Sequence, residues 1–305
     1  MISRIFQNTK PANLLIVLAI VVGIYLTFEA LLFQRFVGFG AIAISFLILL
    51  LLLVTMIVAN SITHHNELTG NNSFTILFFG LMVSLFPDTY MDLSAVFANF
   101  LCTLALWRLM TLRTGKHFVQ KILDASLLIS FASLFVTWAI IYLLIVWISL
   151  VYFGTKKGKY WLIPFVALIC VVVLYAATAI VMGFEDALLH RIDFRLDGHY
   201  SFLQHIPSML SVATLATVLS VTMLFFITRK QPQVASSIPL VMLFLWIGLA
   251  VSLASHEFIF TFVPLSILFT IYFEQIRRAW LKESIFWLFL LMPFGVLLLH
   301  LIPER

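Results

Sequence analysis

Apolar runs of spanning length, each closed by a short polar turn, follow one another along this chain from residue 13 to residue 302. A helix rises about 1.5 Å per residue, so roughly 20 such residues cross the ~30 Å hydrocarbon core of a bilayer. Inside hydrocarbon every backbone N–H and C=O needs an internal partner, which leaves helices and closed barrels as the only spanning structures. Barrel strands alternate apolar and polar residues, and these runs do not. The expected fold class is therefore all-α, a polytopic transmembrane helical protein. Composition agrees: hydrophobic residues make up 63% of the chain and charged residues 10%, against roughly 45–50% and about 25% in soluble domains. Disordered, fibrous and disulfide-scaffold classes are excluded on the same ground.

Single spans are expected at 13–34, 39–60, 73–86, 92–112, 161–183, 209–228, 237–254, 258–275 and 285–302. The stretch 124–153 is too long for one ordinary span, and lysines flank both its ends: Lys116 and Lys121 before it, Lys156, Lys157 and Lys159 after it. A single crossing would leave one basic cluster outside, against the positive-inside rule. Two short helices hinged near Phe135–Thr137 remove the conflict and bring the count to about eleven. With the N-terminus cytoplasmic, only Arg35, Arg191, Arg195 and Arg305 of the 18 Lys and Arg residues fall outside. That asymmetry supports both the orientation and the helix number. The acidic residues lean the other way: Glu29, Asp88, Asp92, Glu185, Asp186, Asp193, Asp197, Glu257 and Glu304 are assigned to the outer side or its interface.

Residues 1–305 read as a single integral membrane domain without linkers or an internal repeat. The longest polar segment is 185–207, where Phe184, Leu188, Ile192 and Leu196 recur every four residues and Gly198 follows. It is either a short amphipathic helix on the outer leaflet or a connecting loop with a turn of helix. Arg4 and Lys10 ahead of an apolar segment mimic a signal peptide. No small-residue cleavage site follows and the run has full spanning length, so a retained first helix is expected. Cys102 and Cys170 both lie in apolar stretches, which offers neither a disulfide framework nor a cysteine metal site. The net charge of +5 is shared between two membrane faces and implies no nucleic-acid partner.

Candidate chemistry gathers at the predicted outer turns. In Phe86-Pro87-Asp88-Thr89-Tyr90-Met91-Asp92, the two aspartates lie one helical turn apart if the fourth span begins there. They are placed to bind a divalent cation or serve as acid and base, or alternatively to cap a helix N-terminus. Glu257, in Ser255-His256-Glu257, has the same two readings. With His190, His199, His205 and the outer arginines Arg35, Arg191 and Arg195, these carboxylates would make an anion and cation site. On the inner side, His64-His65-Asn66-Glu67-Leu68-Thr69-Gly70-Asn71-Asn72 carries no Lys or Arg. It reads as a turn leading to an Asn or Ser cap, or as a contact for a headgroup or partner. Asn99, Thr103, Arg108 and Asp124 are polar within or beside spans and should face protein, a partner or a cavity, with Arg108 free to pair with Asp124, itself a candidate cap of the fifth span. Ala125, Ser126, Ser130, Ala132 and Ser133 give a small-residue face suited to close helix packing or to a substrate path. No P-loop, HExxH, nucleophile elbow or dinucleotide fingerprint is present in the sequence.

The runs His65-Asn66-Glu67-Leu68-Thr69, Leu85-Phe86-Pro87, Ala98-Asn99-Phe100, Leu104-Ala105-Leu106-Trp107-Arg108-Leu109, Asp124-Ala125-Ser126-Leu127-Leu128 and Ala132-Ser133-Leu134-Phe135 resemble an integral membrane family of Bacteroidota known only as a domain of unknown function. The resemblance covers about residues 60–165. It implies a bacterial inner (cytoplasmic) membrane location and brings no activity. A looser, architectural resemblance is to the helical module of GT-C glycosyltransferases, with two spans joined by a tight outer Pro-containing turn, a basic inner loop and a short hairpin. That superfamily uses polyprenyl-phosphate sugar donors and places a catalytic Asp or Glu in a substantial first outer loop. Here the loop near Phe33–Gly40 is short and has no Asp, and Glu29 is its nearest carboxylate.

Three functional classes follow. The first is a cell-envelope enzyme handling a polyprenyl-phosphate-linked sugar at the periplasmic leaflet, with Asp88, Asp92 and Glu257 as base or metal ligands and Arg35, Arg191 and Arg195 holding phosphate. The second is a non-catalytic membrane subunit or scaffold packing against other envelope proteins. The third, a secondary transporter, requires broken helices with charges at the membrane midplane, and few are present.

Overall fold

The computed structural model describes residues 11–33, 38–153, 158–183, 205–228 and 237–301. Among them are eleven α-helices and no strand, an all-α polytopic membrane fold. α1 (Pro11–Phe28) continues as a π-helical turn (Glu29–Phe33), and α2 (Phe39–His65) and α3 (Phe74–Ser84) follow. A 3-10 turn (Pro87–Tyr90) leads into α4 (Leu93–Met110). α5 (Phe118–Ala132), a 3-10 helix (Thr137–Tyr142) and α6 (Leu143–Tyr152) form the expected hairpin, with its hinge at Ser133–Val136. α7 (Ile163–Met182), α8 (Ile206–Thr228), α9 (Ile238–Ser255), α10 (Ile259–Glu274) and α11 (Ala279–Leu301) complete the described helices. The segment 185–204, with its proposed interfacial helix, lies outside the described residues, and so do Arg35, Arg191 and Arg195.

Seven of these helices are long and apolar enough to cross a membrane: α1, α2, α4, α7, α8, α9 and α11. α3, expected as a span over 73–86, is a shorter apolar helix of 11 residues, all of them buried. It covers about 16 Å, half of a ~30 Å hydrocarbon core. On the long helices, side chains such as Phe46 (65% exposed), Leu174 (66%) and Val181 (86%) point outward, as lipid rather than water requires.

The chain divides into two compact units. The first comprises residues 1–93, 198–238 and 261–305. Its core is α3, packed by α1, α2 and α11. Gly80 permits this approach, since a Cβ there would stand 2.4 Å from Val21 Cγ2 and 3.0 Å from Met56 Cε. Phe78 sits edge-on to Phe269, Phe273 and Phe289, with centroids 4.7, 5.1 and 5.7 Å away, a favourable aromatic geometry. At one end of the unit Phe86 meets Phe262 and Ser211 Oγ donates to the Leu85 carbonyl. At the other, Phe74 meets Phe273. Each pair joins helix ends that strict alternation of spans puts on the same side.

The second unit comprises residues 94–197 and 239–260. α5 packs along α7, and the small buried residues Ala125, Ser126, Ser130 and Ala132 line that helix. The small-residue face therefore serves close packing, with α7 as the main partner of α5. Helix α5 begins at Phe118, earlier than the apolar run suggested, because Phe118–Leu123 is an amphipathic first turn that hydropathy alone leaves in the loop. Asp124 is consequently inside the helix and does not cap it. It pairs with Arg108, Nε to Oδ2 3.4 Å, both side chains roughly half exposed.

Candidate functional site

The turn carrying Asp88 and Asp92 is held by the residue between them. Pro87 starts the 3-10 turn, where its fixed φ and missing N–H are tolerated. Asp88 is exposed, Asp92 is half-buried directly ahead of α4, and Tyr90 is fully buried. The Tyr90 ring stands edge-on to Tyr25 (centroids 4.8 Å) and Phe28 (5.9 Å) of α1, and its hydroxyl donates to Ser84 Oγ at 3.1 Å. Burial, reinforced by the nearby Glu29 carboxyl, pushes the Tyr90 phenol well above its ordinary pKa. One turn along α1 from Tyr25, Glu29 is 2% exposed. Tyr25 Oη lies 2.9 Å from Glu29 Oε1 and 2.8 Å from the Ser45 carbonyl oxygen of α2. Beside them a recess of about 130 Å³ is bounded by Leu26, Ile42, Phe46 and Leu49, and of these Leu26, Ile42 and Phe46 are exposed.

Asp88, Asp92 and Glu29 thus belong to one unit, tied together through Tyr90 and Tyr25. Glu257 belongs to the other unit, half-buried in the tight turn between α9 and α10. That turn depends on His256 in a left-handed conformation (φ 61°), and the Glu257 N–H faces Ser255 Oγ at 3.4 Å. Among the described residues no three His, Cys, Asp or Glu side chains gather as metal ligands. Cys102 is buried and Cys170 exposed, both as free thiols.

At the opposite end of the first unit, the loop from Asn66 to Ser73 is pinned by a residue that the sequence did not single out. Glu274, the last residue of α10, accepts hydrogen bonds from Gly70 N (2.9 Å) and from Asn72 Nδ2. Asn72 Oδ1 accepts from Phe74 N at 3.0 Å, while the N-cap of α3 is Ser73, whose side chain makes no capping bond among the described residues. Lys282 holds its ammonium 5.5 Å from the Phe74 centroid and 5.1 Å from that of Phe273. α11 therefore starts six residues before its apolar run: its first turn keeps a cation over aromatic faces. In the second unit Lys121 Nζ donates to the Thr111 carbonyl (2.6 Å) and to Thr114 Oγ1 (2.7 Å). Burial, and after it the charge of Arg108, pushes the Lys121 ammonium pKa down. Asn99, 1% exposed, has neither amide atom hydrogen-bonded among the described residues.

These features define a class: a multi-pass α-helical membrane protein. No protein-family model, curated protein or solved structure matches the chain.

Proposed function

We propose that the protein acts at the outer leaflet of a bacterial inner membrane on a polyprenyl-phosphate-linked sugar, as a relative of the GT-C glycosyltransferases. The observation that carries this reading is the docking of the Asp88–Asp92 turn, through Tyr90, onto the α1 segment that ends beside a lipid-facing recess. An exposed Asp88 and a half-buried Asp92 next to such a recess suit a reaction between a lipid-borne phosphate and a water-borne acceptor. In this reading Asp88 and Asp92, both on the first unit, supply base or divalent-cation ligands.

A second reading is favoured by the position of the same residues. Asp88 is in the first turn of a 3-10 helix and Asp92 immediately precedes α4, where carboxylates stabilise helix starts. A non-catalytic subunit of an envelope complex needs nothing more from them. Asn can serve as a cap but cannot serve as a base, so Asp88→Asn and Asp92→Asn separate the two readings. The enzyme reading expects loss of the envelope function scored by gene deletion, and a polyprenyl lipid co-purifying in gentle detergent. Full rescue by both variants, with a stoichiometric protein partner instead of lipid, would establish the subunit reading.

A further inference from the structure

We propose that the first unit binds one anionic phospholipid, with an acyl chain in a groove between α8 and α11 and the headgroup at Arg277 and Arg278. The groove encloses about 230 Å³ and is built from the first unit alone. Its floor is Val218, Phe269 and Phe289, each no more than 5% exposed. The rings of Phe269 and Phe289 meet there with centroids 5.2 Å apart. Its rim is Val221 and Leu288, 41% and 53% exposed. Thr217 and Ser284 also line it, and each hydroxyl is engaged by its own helix. Thr217 Oγ1 donates to the Thr214 carbonyl at 2.7 Å and Ser284 Oγ to the Trp280 carbonyl at 3.0 Å. What remains for an occupant is aliphatic and aromatic surface, which suits hydrocarbon and offers nothing to a polar solute.

Charge at one end of the groove selects the lipid. Tyr272 of the groove wall leads, a few residues on, to Arg277 and Arg278, both exposed and in no ion pair among the described residues. α11 begins at Ala279, and Leu281, one turn before Ile285, continues the groove's face toward these arginines. Trp280 beside it is 64% exposed, as an indole at the boundary between hydrocarbon and headgroups would be. The other charges nearby are placed elsewhere. Glu274 accepts from Gly70 N and Asn72 Nδ2, and Lys282 lies over Phe74 and Phe273. Helical periodicity puts Glu283 on the face of α11 opposite the groove. The two guanidinium groups therefore keep their charge for a phosphate, which their planar forks match in geometry. A zwitterionic lipid would bring an ammonium to the same place, and an anionic one does not. The positive-inside rule assigns this end to the cytoplasmic leaflet. It is the end of the first unit opposite Asp88 and Asp92, so the site does not rest on the enzyme reading.

The test is native mass spectrometry of the intact protein in detergent, incubated with phosphatidylglycerol or with phosphatidylcholine carrying the same chains. Wild type is expected to retain one phosphatidylglycerol in preference to phosphatidylcholine. Combining Arg277→Gln with Arg278→Gln is expected to weaken phosphatidylglycerol binding about 30-fold and to leave phosphatidylcholine unchanged. Val221→Trp and Leu288→Trp, at exposed rim positions that leave the floor intact, fill the groove. Each is expected to weaken phosphatidylglycerol binding by about tenfold with both arginines in place. Phosphatidylglycerol bearing a diazirine in its chain is expected to label peptides that contain Val221 and Leu288. Equal retention of the two lipids by wild type overturns the proposal, as does a wild-type preference in the double arginine variant. Undiminished phosphatidylglycerol binding by both tryptophan variants overturns it as well, since the chain would then lie outside the groove.

Discussion

The phenol of Tyr142 donates a hydrogen bond to the carbonyl of Phe260, 3.3 Å away. That carbonyl is the one left without a helical donor by Pro264, four residues further along α10. Gly248 makes room for the pair, since a Cβ on it would stand 2.6 Å from the Phe260 oxygen and 2.8 Å from the Tyr142 hydroxyl. Tyr142→Phe strands the carbonyl and is expected to cost about 1–3 kcal/mol. Gly248→Ala overpacks the same point and is expected to cost a similar ~1–3 kcal/mol. Thermal unfolding in detergent is the measurement, and wild-type midpoints for both variants would refute the account.

Glu274→Ala removes the acceptor for Gly70 N and Asn72 Nδ2, and is expected to lose about 1–3 kcal/mol. The loss should appear locally, as faster proteolysis between residues 66 and 73. Gly70→Ala is expected to be milder, because its new Cβ meets only the flexible end of Glu274, at 3.2 Å.

The sequence made the long spans legible because lipid exposure imposes an apolar composition that nothing else does. The hairpin of α5 and α6 was legible through its flanking lysines, which no single crossing accommodates. The length of α3 was not. Hydropathy reports that Phe74–Ser84 is apolar, and it cannot tell whether lipid or other helices cover it. The Arg108–Asp124 pair was visible as two charges in apolar surroundings. The spacing of Tyr25 and Glu29, four apart on one helical face, was visible too. Its meaning was hidden, because it depends on Ser45 in another helix. Glu274 was overlooked for the same reason: its partners lie 204 and 202 residues away in sequence.

The Arg108–Asp124 pair itself is expected to contribute little. Both side chains are roughly half exposed, so Asp124→Asn should change stability by less than about 1 kcal/mol, and less still at high salt. A larger loss in equilibrium unfolding would mean that this end of α4 and α5 is shielded from solvent.

The basic residues fix a directional expectation. Reporter fusions at Lys157 should be cytoplasmic and those at Arg305 periplasmic, and a cysteine in place of Val136 should react from the periplasm or stay unreactive. Both fusions on one side, or labelling of position 136 from the cytoplasm alone, would refute the alternation of about eleven spans.

The half-length of α3 also bears on the order in which the protein can be completed. Its two ends depend on residues made much later: Ser211 for the Leu85 carbonyl, 126 residues on, and Glu274 for Gly70, 204 residues on. At a synthesis rate of roughly 5–20 residues per second, the second partner emerges about 10–40 s after the loop it secures. Through that interval the most apolar and most central helix of its unit sits in the membrane with unfinished ends. A chain truncated before α10 would carry every long helix of the first two-thirds and still lack a settled centre.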